Sequence, residues 1–184
     1  MRWFWKIFLQ ILGWRTDVVF PHHYIKKYVA LVAPHTSTWD FLIGLAYRSV
    51  LRMTHTHYLG KKELFRPPFG FIFRWLGGTP VDRSNHHNLV DEVVKIFDQH
   101  EIFSIAIAPE GTRKRVEKLK TGFYFIARKA NVPIIMVGLD FKNKTVVISD
   151  ALYLTNDQDY DFKLIHNFYR PIEGKYPEFS LGHL

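Results

Sequence analysis

The sequence predicts a single α/β domain: a mixed central β-sheet flanked by helices, with an amphipathic helix at the N-terminus. Three observations lead there. A chain of 184 residues can bury one good core and is short for two. Apolar, β-branched runs alternate with amphipathic segments from Tyr28 to Leu139, the pattern of strands joined by crossover helices. The last two runs, Pro133 to Leu139 and Lys144 to Ser149, are joined through Lys142-Asn143, a connection short enough for an antiparallel hairpin, which makes the sheet mixed.

Met1 to Trp14 reads MRWFWKIFLQILGW. As a helix it would span about 21 Å, short of the roughly 30 Å hydrocarbon layer, so it is not expected to cross a bilayer. Tryptophans stand where a signal peptide would carry a plain apolar stretch, and no small-residue cleavage site follows. Tryptophans with flanking cations fit a helix lying in the membrane interface, with Trp3, Phe4, Trp5, Lys6, Phe8 and Trp14 as its contacts. The alternative is a helix packed on the domain's own sheet. Tyr28 to Ala33 is a buried strand that Pro34 ends, and a helix from about Trp39 to Met53 should start within Thr36 to Thr38, any of which can cap it. A strand near His57 to Gly60 and an irregular, Pro-containing segment from Leu64 to Leu76 lead to a short strand, Thr79 to Val81. Leu89, Val93, Ile96 and Phe97 share one face of a helix over roughly His87 to Gln99. Glu101 to Ala108 reads as a buried strand, Thr121 to Ala130 as a helix, and the hairpin follows. Asp159 to Tyr169 looks helical, and the tail from Pro171 to Leu184, with its prolines and glycines, is expected along the surface. With no repeat, linker or low-complexity stretch, the whole chain, 1–184, is one domain.

Composition narrows the chemistry. Aromatic residues make up 16%, a high share, and aromatics favour interfaces, the membrane one included. The absence of cysteine excludes disulfides, thiolate zinc sites and a cysteine nucleophile. The formal charge of +8 implies an anionic partner. Nucleic acid is not expected, since no helix-turn-helix, zinc or RNP-like pattern appears.

Three blocks carry candidate chemistry. In the first, Pro34-His35-Thr36-Ser37-Thr38-Trp39-Asp40, a histidine follows the first strand and an aspartate opens the helix. Residues five apart on one helix point about 140° from each other, so His35 and Asp40 can meet only if His35 lies outside the helix and the chain bends back. Asp40 could then accept the Nδ1 proton of His35 and leave Nε2 as a base. Spacing alone decides little, because His86 with Asp91 and His87 with Glu92 repeat it; only His35 ends a buried strand. The second block, Gly77-Gly78-Thr79-Pro80-Val81-Asp82-Arg83, puts an arginine just past a short strand, where it is either a phosphate fork or an exposed turn cation; Lys61 and Lys62 precede it. The third, Ala108-Pro109-Glu110-Gly111-Thr112-Arg113, follows the strand 102–108. Strand carboxyl ends are where α/β sheets bind ligands, and this block is either an anion nest or a plain polar turn.

Taken in order, His-x-x-x-x-Asp, GTPVDR, APEGTR and Asn131-Val-Pro-Ile-Ile-Met-Val-Gly138 resemble the four blocks of the glycerolipid acyltransferases, the lysophosphatidic acid acyltransferase group, over about Tyr28 to Gly138. The resemblance implies a catalytic pair, His35 as general base and Asp40 as its orienting carboxylate. It implies an acceptor-phosphate site from Arg83 and Arg113, shaped by Glu110, Gly111 and Thr112 and helped by Lys62. Acyl transfer from coenzyme A or acyl carrier protein to a lysolipid hydroxyl is the implied reaction, with no cofactor or metal beyond the acyl-CoA or acyl-ACP co-substrate. The family often holds the membrane by an N-terminal helical element, so a peripheral or monotopic place on the cytoplasmic face of a membrane is expected. Pro34 stands where the family usually has Asn, Ala108 where it has a larger apolar residue, and Met136 where it has Pro, which leaves the acceptor open to another lysolipid or alcohol. A hydrolase using the same base, or a non-enzymatic membrane module, are the rival readings. No G-x-S-x-G elbow supports a serine route.

Overall fold

A computed structural model describes residues 2–81 and 89–184. In chain order the elements are α1 (Arg2–Ile11), β1 (Lys27–Ala33), α2 (Trp39–Val50), β2 (Thr56–Lys61), α3 (Gly70–Trp75), β3 (Gly78–Val81), α4 (Leu89–Gln99), β4 (Phe103–Ile107), α5 (Gly122–Lys129), β5 (Ile134–Asp140), β6 (Thr145–Leu152) and α6 (Gln158–Tyr169). The six strands form one sheet in the order β3-β2-β4-β1-β5-β6. All pairings are parallel except β5 with β6, which is antiparallel, so the mixed sheet and its closing hairpin are as expected.

Alternation along β1 sorts the two faces. Val29, Leu31 and Ala33 join a core with residues of α4, α5 and α6, including Phe97, Phe123, Tyr124 and Ile165. Tyr28 and Ala30 point the other way, into a core with Leu9 of α1 and Ile43, Ala46, Tyr47 and Val50 of α2. α3 lies on this second side. Tyr58 of β2 packs edge-on against Phe41 of α2 and its hydroxyl donates to the Phe73 carbonyl of α3 (3.2 Å). Inside the sheet, hydroxyls of Tyr28, Thr56 and Ser104 are linked at 2.8 and 2.9 Å across β1, β2 and β4, so these buried polar groups are satisfied.

Four expectations need correction. α1 stops at Ile11, and Gly13, at φ +76°, turns the chain so that Trp14 enters the core. Trp14 is 4% exposed, with Tyr47 and Phe141 at ring-centroid distances of 5.9 and 4.9 Å, so it is not a membrane contact. α2 begins at Trp39 without a side-chain cap from Thr38 and ends at Val50, before the left-handed Arg52. The segment from Leu64 to Leu76 is not irregular: a 3₁₀ turn (Lys62–Phe65) and α3 flank the Pro67-Pro68 pair. The C-terminal tail does not merely line the surface, because Ile172, Ser180 and Leu181 are buried. The expected start of the fourth helix at His87 falls outside the described residues, as does His86.

Candidate active site

Because β1 to β4 run parallel, their carboxyl ends open at one edge of the sheet, where α/β folds place ligands. The first block leaves β1 and the third leaves β4, neighbouring strands in register at Leu31 and Ile107. Lys62 follows β2, exposed, and lines with Arg66, Arg74 and Glu92 a depression of about 320 Å³. The second block contains β3, the edge strand, and its Arg83 lies outside the described residues. Three strand spacings separate the β3 and β1 ends, about 14 Å.

At the end of β1, residues 35–38 form a bend that the Asp40 side chain closes. Its Oδ2 accepts the backbone N–H groups of Thr36 (2.6 Å) and Ser37 (2.7 Å), and Oδ1 accepts the Ser37 hydroxyl (2.9 Å). Ser37 Oγ in turn accepts the Trp39 N–H at 3.1 Å. The expected hydroxyl cap is therefore inverted: the carboxylate caps the loop, and Ser37 steadies both. His35 Nδ1 stands 3.1 Å from the same Oδ2. Asp40 is 3% exposed, whereas 30% of the His35 side chain is open to solvent. Since a carboxylate only accepts, the contact assigns a proton to Nδ1, and in the neutral imidazole the lone pair is then on Nε2.

Glu110 takes a place the sequence reading did not give it. Rather than facing an acceptor phosphate, it is 2% exposed and its Oε1 accepts the His35 backbone N–H at 2.7 Å. The third block thus holds the first. Burial pushes the Glu110 carboxyl up to about 7, and the His35 N–H only partly opposes that. Oε2 is buried without a hydrogen-bond partner among the described residues, which fits a neutral carboxyl. A pKa raised from 4.5 to about 7 favours folding fully below pH 4.5, and that stabilisation, about 3 kcal/mol, fades as pH rises through 7. Glu110→Gln keeps an acceptor for His35 and cannot ionise. Its urea-unfolding free energy should therefore lose most of the decline the native chain shows between pH 5 and 8; equal slopes would place that proton elsewhere.

The remaining third-block residues are arranged as a loop. Gly111, at φ +66°, closes the turn with its N–H on the Ala108 carbonyl (3.2 Å), so that N–H is not offered to an anion. Thr112 Oγ1 accepts the Lys114 N–H at 3.3 Å. Arg113 is exposed and hydrogen-bonds to no described residue. The fourth block has a packing place: β5 is buried throughout, and a side chain at Gly138 would meet Ile172 Cδ1 at 2.2 Å.

Residues of the tail that the sequence reading passed over reach the first block. Gly174 packs so closely that a Cβ would lie 2.7 Å from Thr36 Cγ2. Tyr176 N–H donates to Thr36 Oγ1 (3.2 Å), and the Lys175 ammonium sits 4.7 Å from the Trp39 ring centroid. His183 Nε2 is 2.8 Å from the Val116 carbonyl of the third-block loop. Below them, the Tyr169 hydroxyl donates to the Leu31 carbonyl of β1. Gly174 permits this close approach because it has no side chain, and no sequence pattern around it announces the contact.

The class the fold and site define is an α/β protein with a histidine held on a buried carboxylate at the carboxyl edge of a mostly parallel sheet. Residues 16–140 match the family model described as Acyltransferase, and the chain belongs to that acyltransferase family. It is 28% identical over 138 residues to a probable 1-acyl-sn-glycerol-3-phosphate acyltransferase of Mycoplasma pneumoniae, covering 71% of this chain and 51% of that protein. The chain thus spans about half the length of this curated relative. The crystal structure of the 1-acyl-sn-glycerophosphate (LPA) acyltransferase PlsC from Thermotoga maritima shares the fold, with a TM-score of 0.58, 19% identity, and coverage of 89% of this chain and 74% of that one.

Proposed function

We propose that this protein moves a fatty acyl group from a thioester, on coenzyme A or acyl carrier protein, to the hydroxyl of a lysophospholipid such as 1-acylglycerol 3-phosphate. The observation that carries the reading is His35 Nδ1 on the buried Asp40 carboxylate, in a chain of the acyltransferase family. Nε2 of His35 takes the hydroxyl proton as the acceptor oxygen attacks the thioester carbonyl. The C–S bond then breaks, and the imidazolium returns its proton to the departing thiolate while Asp40 balances the transient charge. The outward residues of α1 support membrane association: Trp3 and Phe4 are 76% and 60% exposed, and Lys6 is exposed with them. Trp5 and Phe8 are half-buried against α2. We place the protein on the cytoplasmic face of a membrane, held from one side by these outward residues of α1.

The direct test offers the protein an acyl thioester and a mixed lysolipid pool and identifies products by mass spectrometry. A diacyl phosphatidate as main product is expected; free fatty acid alone would make it a thioesterase. The acceptor's phosphate has its own test. Arg113, exposed beside the site, should contribute charge-assisted hydrogen bonds of about 1.5–3 kcal/mol. Arg113→Ala should then raise the acceptor KM about ten- to a hundredfold and leave the donor KM in place, with Arg113→Lys rescuing only in part. An unchanged acceptor KM removes Arg113 from the phosphate site.

A further inference from the structure

The surface of this protein is divided between the two sides of its sheet. On the side of α1, α2 and α3, the segments 2–11, 39–50 and 62–76 expose Trp3, Phe4, Ile11, Trp39, Phe41, Leu42, Leu64, Phe69, Phe71, Ile72 and Trp75. The helices opposite, α4 to α6, expose only Phe125 and Tyr160 among their large apolar residues. The same side is basic: the three segments carry six cations (Arg2, Lys6, Arg48, Lys62, Arg66, Arg74) against two acids, Glu63 and the buried Asp40. Basic character alone does not set it apart, because the loop 113–120, whose Leu119 is buried in the core of α4 to α6, carries five cations and one acid; the exposed aromatic residues beside the cations do.

Within this face the richest patch is not on α1. Phe69, Phe71 and Trp75 are 65%, 68% and 64% exposed, and Phe71 and Trp75, four apart on α3, share a face. The turn beneath is firmly built: Phe65 is buried, and Arg74 both donates to the Phe65 carbonyl (3.0 Å) and stacks over its ring. A rigid turn that holds phenylalanines and a tryptophan outward beside arginines has the composition of an interfacial anchor, and an anionic lipid surface complements its charge.

We propose that residues 62–76 form a second membrane-docking element, so that α1 and α3 together seat the α1–α3 side of the sheet on an anionic bilayer. The inference rests on the reading of the substrate as a membrane lipid. It gives α2, whose first turn holds Asp40, a place between two anchors.

The test compares the full chain with Phe71→Ser/Trp75→Ser and with Trp3→Ser/Phe4→Ser, all exposed positions, each first checked for an unchanged circular dichroism spectrum. Sedimentation with vesicles of phosphatidylcholine containing phosphatidylglycerol should show each double variant losing about tenfold or more in affinity. Pure phosphatidylcholine should bind the native chain more weakly. If the α3 variant binds like the native chain while the α1 variant does not, the α3 element is overturned and the membrane reading stands. If neither variant changes binding, both fail. If the α3 variant instead loses only self-association in sedimentation velocity, the patch is a contact between copies and the proposal is overturned.

Discussion

His35→Ala is expected to lower kcat for acyl transfer by about a thousandfold or more while the protein stays folded. A positioned general base contributes roughly 10²- to 10⁴-fold, and no other described side chain is bonded to the Asp40 carboxylate from the solvent side. The ring is partly open and, among the described residues, hydrogen-bonds only to Asp40, so its removal leaves Asp40 with the Thr36 and Ser37 donors it already has. Released thiol can be followed with a thiol reagent without background, because the chain has no cysteine. His86→Ala, which removes a histidine with the same spacing to an acid, is the control and should stay near the native rate. Equal losses from the two variants would overturn the assignment of the base.

Asp40→Asn is expected to lower kcat about 10²- to 10⁴-fold with the acceptor KM nearly unchanged. An asparagine oxygen in the place of Oδ2 still accepts from Thr36, Ser37 and His35, and the Ser37 hydroxyl can rotate to accept from the new amide. The loop therefore survives, but no charge faces the imidazolium when it forms. Asp40→Ala makes a different case, since it leaves two buried N–H groups without an acceptor and costs stability, about 1–3 kcal/mol for each. Thermal unfolding should separate them: Asn near native, Ala clearly lower. If Asn loses as much stability as Ala, the loss of rate reports a collapsed loop, not the missing charge.

The strands and their order of chemistry were legible because they rest on local signals. Tyr28 to Ala33 and Ile134 to Leu139 are runs that only a doubly covered strand would carry, and a short hairpin connection fixed the mixed sheet. The meeting of His35 and Asp40 was legible too, as a spacing that requires a bend, although its cause is the carboxylate gathering two backbone amides. What stayed hidden depends on distance along the chain. Glu110 lies 75 residues from the His35 amide it accepts, and nothing in Pro-Glu-Gly-Thr distinguishes an inward carboxyl from a solvated one. Trp14 resembled its neighbours in an aromatic helix until Gly13 broke that helix. The Pro67-Pro68 pair masked α3, because prolines mark a break without saying that a helical turn follows only two residues later.

The tail has a consequence that lies outside the motif region altogether. Gly174, Tyr176 and His183 clasp the first-block loop on one side and the third-block loop on the other, and all three come after residue 140, where the family match ends. Clasp and loop touch, so linkage governs any ligand that orders the loop at Thr36: the coupling free energy by which seated residues 174–183 tighten its binding equals that by which it tightens their seating. Substitutions in this stretch, which carries no chemistry of its own, can then retune affinity without touching a single group that meets the substrate.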